Sequence, residues 1–405
     1  MNPPSPQVIG TPRVAIVHHW IVRKRGGERV LESLCRAFPE ADLFTLVYDA
    51  NLSSPVIKEH RITTSWIQKL PFATKRYSEY LPLFPFAVEQ FDLSDYDLVI
   101  SSDANLVKGV LTRPETCHIC YCHSPLRYAW SAFHTYLDSM PPWKRGLASI
   151  ILNYLRLWDL CAAHRVDYFV ANSWNVARRI EKYYRRSADV IYPPVTLSKN
   201  TSRSGDFFLA VGHFAPYKRF EIAVEAFNEL GLPLWIVGEG PEARRLKQRA
   251  LNNIRFLDRI SDSELSNLLS SCRALVFPGE EDFGMIVPEA HACGRPVIAL
   301  GRGGALETVI PNVNGILFGE PSADSLRRAV LLFEQRESQW NSDEIRQTAQ
   351  VFREEHFIQQ FSAYAEAKLN EHQSRFRDNP RPWSIARSIN NEISLSGIQG
   401  STDSK

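Results

Sequence analysis

Short apolar runs alternate with amphipathic stretches along most of the chain. Val14 to His18 is apolar, two glycines follow, and Glu28 to Phe38 has the spacing of an amphipathic helix. The same order recurs at Val166 to Ala171, where Asn172-Ser173 is placed to cap a helical stretch that runs to about Tyr184. Short strands separated by helices predict parallel sheets covered on both faces. Further strands are predicted at Asp42 to Tyr48, Asp97 to Ser101, Cys117 to Cys122, Phe207 to Val211, Leu234 to Val237, Ile254 to Leu257, Ala274 to Phe277 and Pro296 to Ala299.

A change of character between Ile191 and Gly205 divides this pattern in two. The segment holds two prolines and a polar run, which are features of a linker. We therefore predict two doubly wound α/β domains, over residues 1–195 and 206–353, with a ligand in the crevice between them. Residues 354–372 are predicted to form a helix that crosses back to the first domain, and the polar residues 373–405 a disordered tail.

Composition narrows the class of protein. The 405 residues include 47 basic and 45 acidic ones, and this balance argues against a dedicated nucleic-acid binder. The chain has seven cysteines, and its proline-rich, polar start has no secretory leader. We therefore expect reduced thiols in a cytoplasmic protein. No run of about 18 apolar residues predicts a membrane span. Two segments rich in aromatic and basic residues, Leu70 to Phe91 and Trp143 to Trp158, either rest on anionic lipid or pack on the first sheet, and we favour packing.

The most informative segment is an acidic loop followed by a predicted helix. Glu281 and Glu289 are separated by seven residues, and Pro288 suits the first turn of a helix. A loop over Phe283 to Val287 would place free backbone N–H groups at the helix start, where they can hold a diphosphate. The carboxylates can accept hydrogen bonds from sugar and ribose hydroxyls. An ordinary acidic loop before a helix has the same local pattern.

Three other segments lie at the carboxyl ends of predicted strands. Lys218 and Arg219 can meet phosphate, or they form a solvated basic turn. Gly26-Gly27 lets a backbone amide approach phosphate closely, or it is only a tight turn. His123 can exchange a hydrogen bond or a proton with a reacting group, or it is a buried histidine bonded to a carbonyl. Arg127 adds a potential anion contact.

Two patterns resemble metal motifs. Asp95-Tyr96-Asp97 has the D-x-D form, but an apolar run follows it directly, so we interpret it as a turn into a strand. Three cysteines and two histidines crowd into Cys117 to His123. Successive side chains on a strand point to opposite faces, and no second ligand pair lies elsewhere, so we predict no metal and no cofactor.

Taken in order, these segments resemble glycosyltransferase family 4, whose GT-B fold has two Rossmann-like domains. The resemblance covers about Arg13 to Ala367. Its most specific part is the E-x7-E motif of Glu281 and Glu289 with the ACGRPVI run that follows. The Gly-Gly segment, the Lys218 segment and GGALETV match in the same order. YDLVISS, YCHSPLRYAW and ANSWNVARRIEKYY resemble the branch that contains the O-antigen mannosyltransferases.

The resemblance implies a retaining transferase that moves a hexose, commonly mannose from GDP-mannose, to a saccharide or lipid-linked saccharide. It implies front-face attack, in which positive groups stabilise the leaving diphosphate without a metal. By position, Glu281 would contact the donor sugar, Glu289 the ribose and Lys218 the diphosphate, and His123 matches the active-site histidine. The implied catalytic residues are His123, Glu281 and Lys218, and the implied donor-binding residues are Gly27, His213, Lys218, Arg219, Arg259, Ile260, Glu281, Phe283, Gly284, Met285, Ile286 and Glu289.

Two positions depart from the family pattern. His213 stands five residues before Lys218, where the family usually has an arginine that clamps the diphosphate. A histidine is shorter and largely neutral at pH 7, although Arg219 can compensate. Asp258 replaces a frequent glycine. A transferase that uses a UDP-sugar and a non-catalytic scaffold that binds a nucleotide-sugar remain alternative interpretations.

Overall fold

A computed structural model of the protein describes residues 11–22, 26–195, 205–258 and 260–377. Within these ranges the strands form two parallel sheets, one in each half of the chain. The first sheet contains β1 (Val14–His18), β2 (Asp42–Thr45), β3 (Ile62–Thr64), β4 (Leu98–Asp103), β5 (Cys117–Cys122), β6 (Tyr168–Ala171) and β7 (Ala188–Val190). The second contains β8 (Phe208–Val211), β9 (Leu234–Val237), β10 (Ile254–Leu257), β11 (Leu275–Phe277), β12 (Val297–Leu300) and β13 (Gly315–Phe318).

Both sheets are doubly wound. The strand order is β3-β2-β1-β4-β5-β6-β7 in the first and β10-β9-β8-β11-β12-β13 in the second. The winding direction reverses between β1 and β4 and again between β8 and β11. In such sheets a ligand crevice opens at the carboxyl ends of the strands beside the reversal. The predicted α/β class with two Rossmann-like domains is therefore confirmed.

Helices connect successive strands and cover the faces of the sheets. In the first domain they are α1 (Gly26–Ala37), α2 (Pro55–Lys58), α3 (Ala73–Arg76), α4 (Phe84–Val88), α5 (Phe133–Asp138), α6 (Pro142–Ala163) and α7 (Trp174–Tyr184). In the second they are α8 (Phe220–Leu230), α9 (Ala243–Arg249), α10 (Asp262–Ser271), α11 (Ile286–Ala292), α12 (Ala305–Thr308), α13 (Ala323–Arg336) and α14 (Ser342–Thr348), followed by α15 (Glu354–Arg377). In the described part of the chain, no helix combines the length and apolar character that crossing a bilayer requires.

Local sequence explains where several helices begin. Ser173 caps α7 as expected, because its Oγ accepts a hydrogen bond from the backbone N–H of Val176 at 3.1 Å. At α10, Ser261 and Glu264 form a capping box. The helix α15 packs back on the first domain, where Phe357 and Phe361 lie in one apolar cluster with Tyr121 of β5.

The structure differs from the sequence prediction at several boundaries. Gly26-Gly27 form the first turn of α1 instead of a loop, and α11 begins at Ile286, inside the predicted loop. The helix α15 runs to Arg377, beyond the predicted end of the helix at residue 372. The strands β3, β7 and β13 were not predicted; the first two have only three residues each, too few to display a hydrophobic period. Most of the predicted linker (196–204) and of the tail (378–405) lies outside the described residues.

Candidate active site

The acidic loop between β11 and α11 contains the first pair of predicted site residues. Glu281 accepts a hydrogen bond from Lys218, whose Nζ lies 2.7 Å from Glu281 Oε1. Lys218 belongs to the segment after β8, so the two residues come from the two strands beside the reversal of the second sheet. Both side chains are only partly buried. A cation and a carboxylate therefore meet where the topology opens a crevice.

Close packing of glycines holds this loop in place. A Cβ atom on Gly279 would lie 2.7 Å from Lys218 Cα, so only glycine lets the two chain segments approach this closely. Gly284 has a φ of +83°, a left-handed conformation that favours glycine. Gly303 and Gly304 pack against the backbone of Glu281 and Phe283, where a Cβ atom would meet main-chain atoms at 2.4 Å. The GGALETV segment thus supports the acidic loop.

Asp282, the residue after Glu281, binds residues of the first domain. Asp282 accepts hydrogen bonds from Arg127 Nε at 2.8 Å and from the guanidinium of Arg179. Its backbone carbonyl accepts a hydrogen bond from Ser173 Oγ at 2.9 Å. Burial lowers the pKa of Arg127, but Asp282 more than offsets this and the net pKa is raised. Arg127 therefore makes an anion contact, but its anion is a carboxylate of the other domain.

A second contact across the crevice involves the N-terminus of α7. The backbone N–H groups of Trp174 and Asn175 each donate a hydrogen bond of 2.8 Å to the carboxylate of Glu307. A carboxylate at a helix N-terminus is stabilised by the free N–H groups and by the helix dipole. Glu307 was not singled out from the sequence, although it lies in the GGALETV segment.

Glu289 is paired with a residue that the sequence analysis missed. It lies in α11, is 7% exposed, and bonds to the guanidinium of Arg29 in α1. Burial raises the pKa of Glu289, and Arg29 opposes the rise by favouring the charged form. Arg29 also lies 4.0 Å from Asp262. Its position two residues after Gly27, about half a helical turn from a predicted phosphate-binding amide, was the signal available in the sequence.

The start of α1 faces the second domain. A Cβ atom on Gly26 would lie 2.8 Å from Met285 Sδ, so Met285 and the first turn of α1 meet across the crevice. A Cβ atom on Gly27 would lie 3.9 Å from the imidazoles of both His18 and His19. This 12-residue helix begins at Gly26, and the positive end of a helix dipole favours an anion.

His123 follows β5 and belongs to a chain of hydrogen bonds at the ends of three strands. Its Nε2 lies 2.9 Å from Ser102 Oγ, and Ser102 Oγ lies 3.1 Å from His18 Nδ1. Burial, helped by the nearby His19, lowers the pKa of His123 to about 3. His123 is therefore neutral near pH 7, and it can act as a hydrogen-bond partner but not as a cation.

The remaining predicted donor-binding residues are more scattered. His213 is exposed in the loop after β8, and Arg219 has a left-handed backbone at the start of α8. Ile260 packs at the edge of an apolar cluster of the second domain. Phe283 is 2% exposed, and its ring packs against Tyr192 and Phe352. Arg259 lies outside the described residues.

Neither metal-like pattern forms a metal site in the described part of the chain, where no group of three or more potential ligands is suitably placed. Asp97 accepts a hydrogen bond from the backbone N–H of Arg13 at 2.9 Å, and Asp95 pairs with the Arg13 side chain at 3.3 Å. His118 Nε2 lies 2.9 Å from Ser101 Oγ, so this histidine is bonded within the sheet.

The comparison with family models agrees with this geometry. The model described as Glycosyltransferase Family 4 matches residues 24–199, and the model described as Glycosyl transferases group 1 matches residues 198–350. The two matches cover both domains. The chain therefore belongs to the glycosyltransferases that these models describe.

Two curated relatives and one solved structure illustrate the range of similar proteins. An uncharacterized glycosyltransferase of Methanocaldococcus jannaschii is 29% identical over 45% of this chain and about half (52%) of its own length. O-antigen chain mannosyltransferase C of Escherichia coli is 28% identical over 64% of this chain and 70% of its own. The HepE protein of Anabaena in complex with UDP superposes with a TM-score of 0.64, covering 88% of this chain and all of its own, at 16% identity. This last likeness concerns the fold.

Proposed function

We propose that the protein transfers a mannosyl group from GDP-mannose to a saccharide or lipid-linked saccharide in polysaccharide biosynthesis, with retention of anomeric configuration. The membership of the family and the similarity to the O-antigen chain mannosyltransferase support this choice. The observation that carries the proposal is the Lys218–Glu281 pair beside the sheet reversal, in the loop that leads to Met285, the residue that meets the start of α1.

The residues around the crevice suit the parts of a nucleotide-sugar. In the proposed complex the Lys218 amine and the N-terminal end of the α1 dipole hold the diphosphate, because both carry positive charge that favours an anion. Glu289 accepts hydrogen bonds from the ribose hydroxyls beside Arg29. Glu281 and neutral His123 form hydrogen bonds with the hydroxyls of the donor sugar.

The proposed reaction breaks the bond between the sugar C1 and the diphosphate oxygen. The acceptor hydroxyl forms a new bond to C1 on the same face, and its proton passes to the leaving diphosphate oxygen. Negative charge grows on the diphosphate as the bond breaks, so Lys218 and the N-terminal end of α1 bind the transition state more strongly than the ground state. Closure of the two domains, through contacts such as Arg179 with Asp282, excludes water from the crevice.

Calorimetric binding tests the donor without knowledge of the acceptor. GDP-mannose, UDP-glucose, GDP and UDP are titrated into the wild type and into Glu289→Gln, without added metal. Half-buried Glu225 of α8, which pairs with Arg249 of α9, supplies the matched control Glu225→Gln. The proposal expects GDP-mannose to bind at micromolar concentration, more weakly to Glu289→Gln and unchanged to Glu225→Gln.

The other outcomes select among the alternatives. Preference for UDP-glucose would replace the mannosyl donor by a UDP-sugar. Binding of GDP-mannose without hydrolysis or transfer to any acceptor would favour a non-catalytic scaffold, with His213 in place of a clamping arginine as the reason. Binding of none of the four by a folded protein would contradict the proposal.

A further inference from the structure

The helix α6 leaves a continuous apolar stripe on the surface of the first domain. Its large apolar side chains recur at alternating spacings of four and three residues, so they lie on one face of the helix. Trp143, Leu147, Ile150, Tyr154 and Leu157 are 79%, 66%, 69%, 39% and 61% exposed. We name these five residues the α6 face. At 1.5 Å per residue the face is about 21 Å long.

The opposite side of the same helix is already buried. Leu152 and Leu155 pack into the apolar core of the first domain, and Asp159 is fully buried with Lys108. The helix is therefore apolar on two sides, and only one of them serves the core. Exposed contiguous apolar surface of this kind marks an interaction site in soluble proteins.

The charged residues of the helix favour an anionic partner. The helix carries Lys144, Arg145 and Arg156, whereas its single acidic residue, Asp159, is buried away from the surface. The Nζ of Lys144 lies 4.8 Å from the centre of the Trp143 ring. An exposed aromatic ring beside a cation suits the boundary between acyl chains and anionic headgroups, where the ring enters the boundary and the amine reaches phosphate.

A second exposed patch of the same composition packs on the same core. Phe72 is 67% exposed, and the guanidinium of Arg76 lies 5.6 Å from the centre of its ring. Exposed Lys69 and Lys75 flank this ring in the sequence. Ala73, beside Phe72, belongs to the core cluster that also contains Leu152 of α6. Both patches combine aromatic rings with cations. They therefore complement a negatively charged surface better than they complement a second copy of this chain, whose patches carry the same positive charge.

We propose that the α6 face is a docking surface for an anionic lipid bilayer. The helix lies parallel to the membrane plane, with its apolar side chains at the level of the upper acyl chains and Lys144 at the phosphates. This surface belongs to the first domain and is separate from the Lys218–Glu281 pair of the second. The inference does not depend on the proposed donor, and it would bring the catalytic crevice close to lipid-linked molecules.

Vesicle flotation tests the proposal. Wild-type protein is mixed with vesicles of phosphatidylcholine alone, or with one quarter phosphatidylglycerol, at low and at physiological salt. We expect binding to the anionic vesicles that weakens with salt, and a loss of about tenfold or more in Leu147→Ser/Ile150→Ser, because two large apolar side chains no longer enter the boundary. Lys144→Glu is expected to weaken binding to the anionic vesicles several-fold.

Matched controls separate lipid binding from other uses of the face. Leu251 and Val351 are 58% and 55% exposed in the second half of the chain, so Leu251→Ser/Val351→Ser should bind vesicles as the wild type does. Circular dichroism melting confirms that each variant is folded. The proposal is overturned if folded wild type binds no anionic vesicle, or if Leu147→Ser/Ile150→Ser binds equally well. A lipid-free dimer in sedimentation that this double variant abolishes would assign the face to a second copy instead.

Discussion

Glu281 and Asp282 are adjacent in the chain, but their carboxylates bond to different domains. Glu281 pairs with Lys218 of its own domain, whereas Asp282 pairs with Arg127 and Arg179 of the first domain. One short loop therefore carries both a proposed catalytic contact and a contact that closes the crevice. We therefore expect a change in the contacts of Asp282 to affect the position of Glu281.

Removing the Lys218 amine should reduce the rate of the chemical step. In the proposed reaction Lys218 stabilises the charge that grows on the leaving diphosphate, and loss of one such group typically costs about 10²–10³ in kcat. We therefore expect Lys218→Ala to lower kcat by that factor in a mannosyl-transfer assay. Lys247, which pairs with Asp258 at 2.9 Å on the surface of the same domain, provides the control Lys247→Ala, with unchanged kcat. Equal rates for wild type and Lys218→Ala would refute the assigned role.

Removing the charge of Asp282 should open the crevice without dismantling either domain. Asp282→Asn weakens the contacts with Arg127 and Arg179, and truncating one partner of a buried charged pair typically costs about 2–5 kcal/mol across an interface. We expect a larger radius of gyration in X-ray scattering and a lower kcat/KM, with Asp282→Glu recovering part of both. The exposed pair of Arg328 with Asp324 allows a matched control, Asp324→Asn. An unchanged radius of gyration would show that Asp282 does not hold the domains together.

Much of the fold was predictable because the hydrophobic pattern agrees with the local structure. The strands β1, β5, β9 and β10 and the helix α7 have the predicted bounds, since each is an apolar run or a capped amphipathic segment. The three-residue strand β3, with sequence ITT, could not be found in this way. Its register is set by pairing with β2, a non-local interaction.

The partners of the candidate site residues were less predictable than the residues themselves. Glu281 and Lys218 could be named from their motifs, and the structure places them in contact. Arg29 and Glu307 were not named, because their partners lie in the other domain and more than 130 positions away in the chain. Arg127 was expected to bind an anion of the ligand, but it binds the carboxylate of Asp282 from the second domain instead.

The buried Lys108 should be essential for the stability of the first domain. Its Nζ bonds to Asp103 at 3.1 Å and to Asp159, and all three side chains are fully buried. Burial lowers the pKa of Lys108, but the two carboxylates more than offset this, so the amine remains charged. Lys108→Met leaves two buried carboxylates without a cation. We therefore expect the free energy of unfolding, measured by chemical denaturation, to fall by about 3–5 kcal/mol.

A second substitution distinguishes the lost ion pair from a loss of packing. Lys108→Met/Asp159→Leu removes one of the stranded carboxylates together with the amine, so it should be more stable than Lys108→Met alone. Trp130 Nε1 and the Tyr184 hydroxyl both donate hydrogen bonds of 2.8 Å to Asp159, so recovery is expected to be partial. Asp159→Leu alone is measured as well. If the two substitutions lower the free energy of unfolding additively in the double variant, electrostatic compensation is the wrong explanation.

Buried His291 should make the second domain lose stability as the pH falls. Its ring is fully buried, its Nε2 lies 3.1 Å from the carbonyl oxygen of Asn314, and burial lowers its pKa from 6.5 to about 3. Above pH 6.5 the folded and unfolded chains are both neutral at this position. Between pH 6.5 and 3 the unfolded chain binds a proton that the folded chain does not, so the free energy of unfolding falls by up to about 1.4 kcal/mol per pH unit. We expect the free energy of unfolding of the wild type to fall between pH 7.5 and pH 5.5, as measured by chemical denaturation. The fall should be smaller by about 1 kcal/mol in His291→Gln, whatever the stability of that variant at pH 7.5. An equal drop in both proteins would place the pH dependence elsewhere.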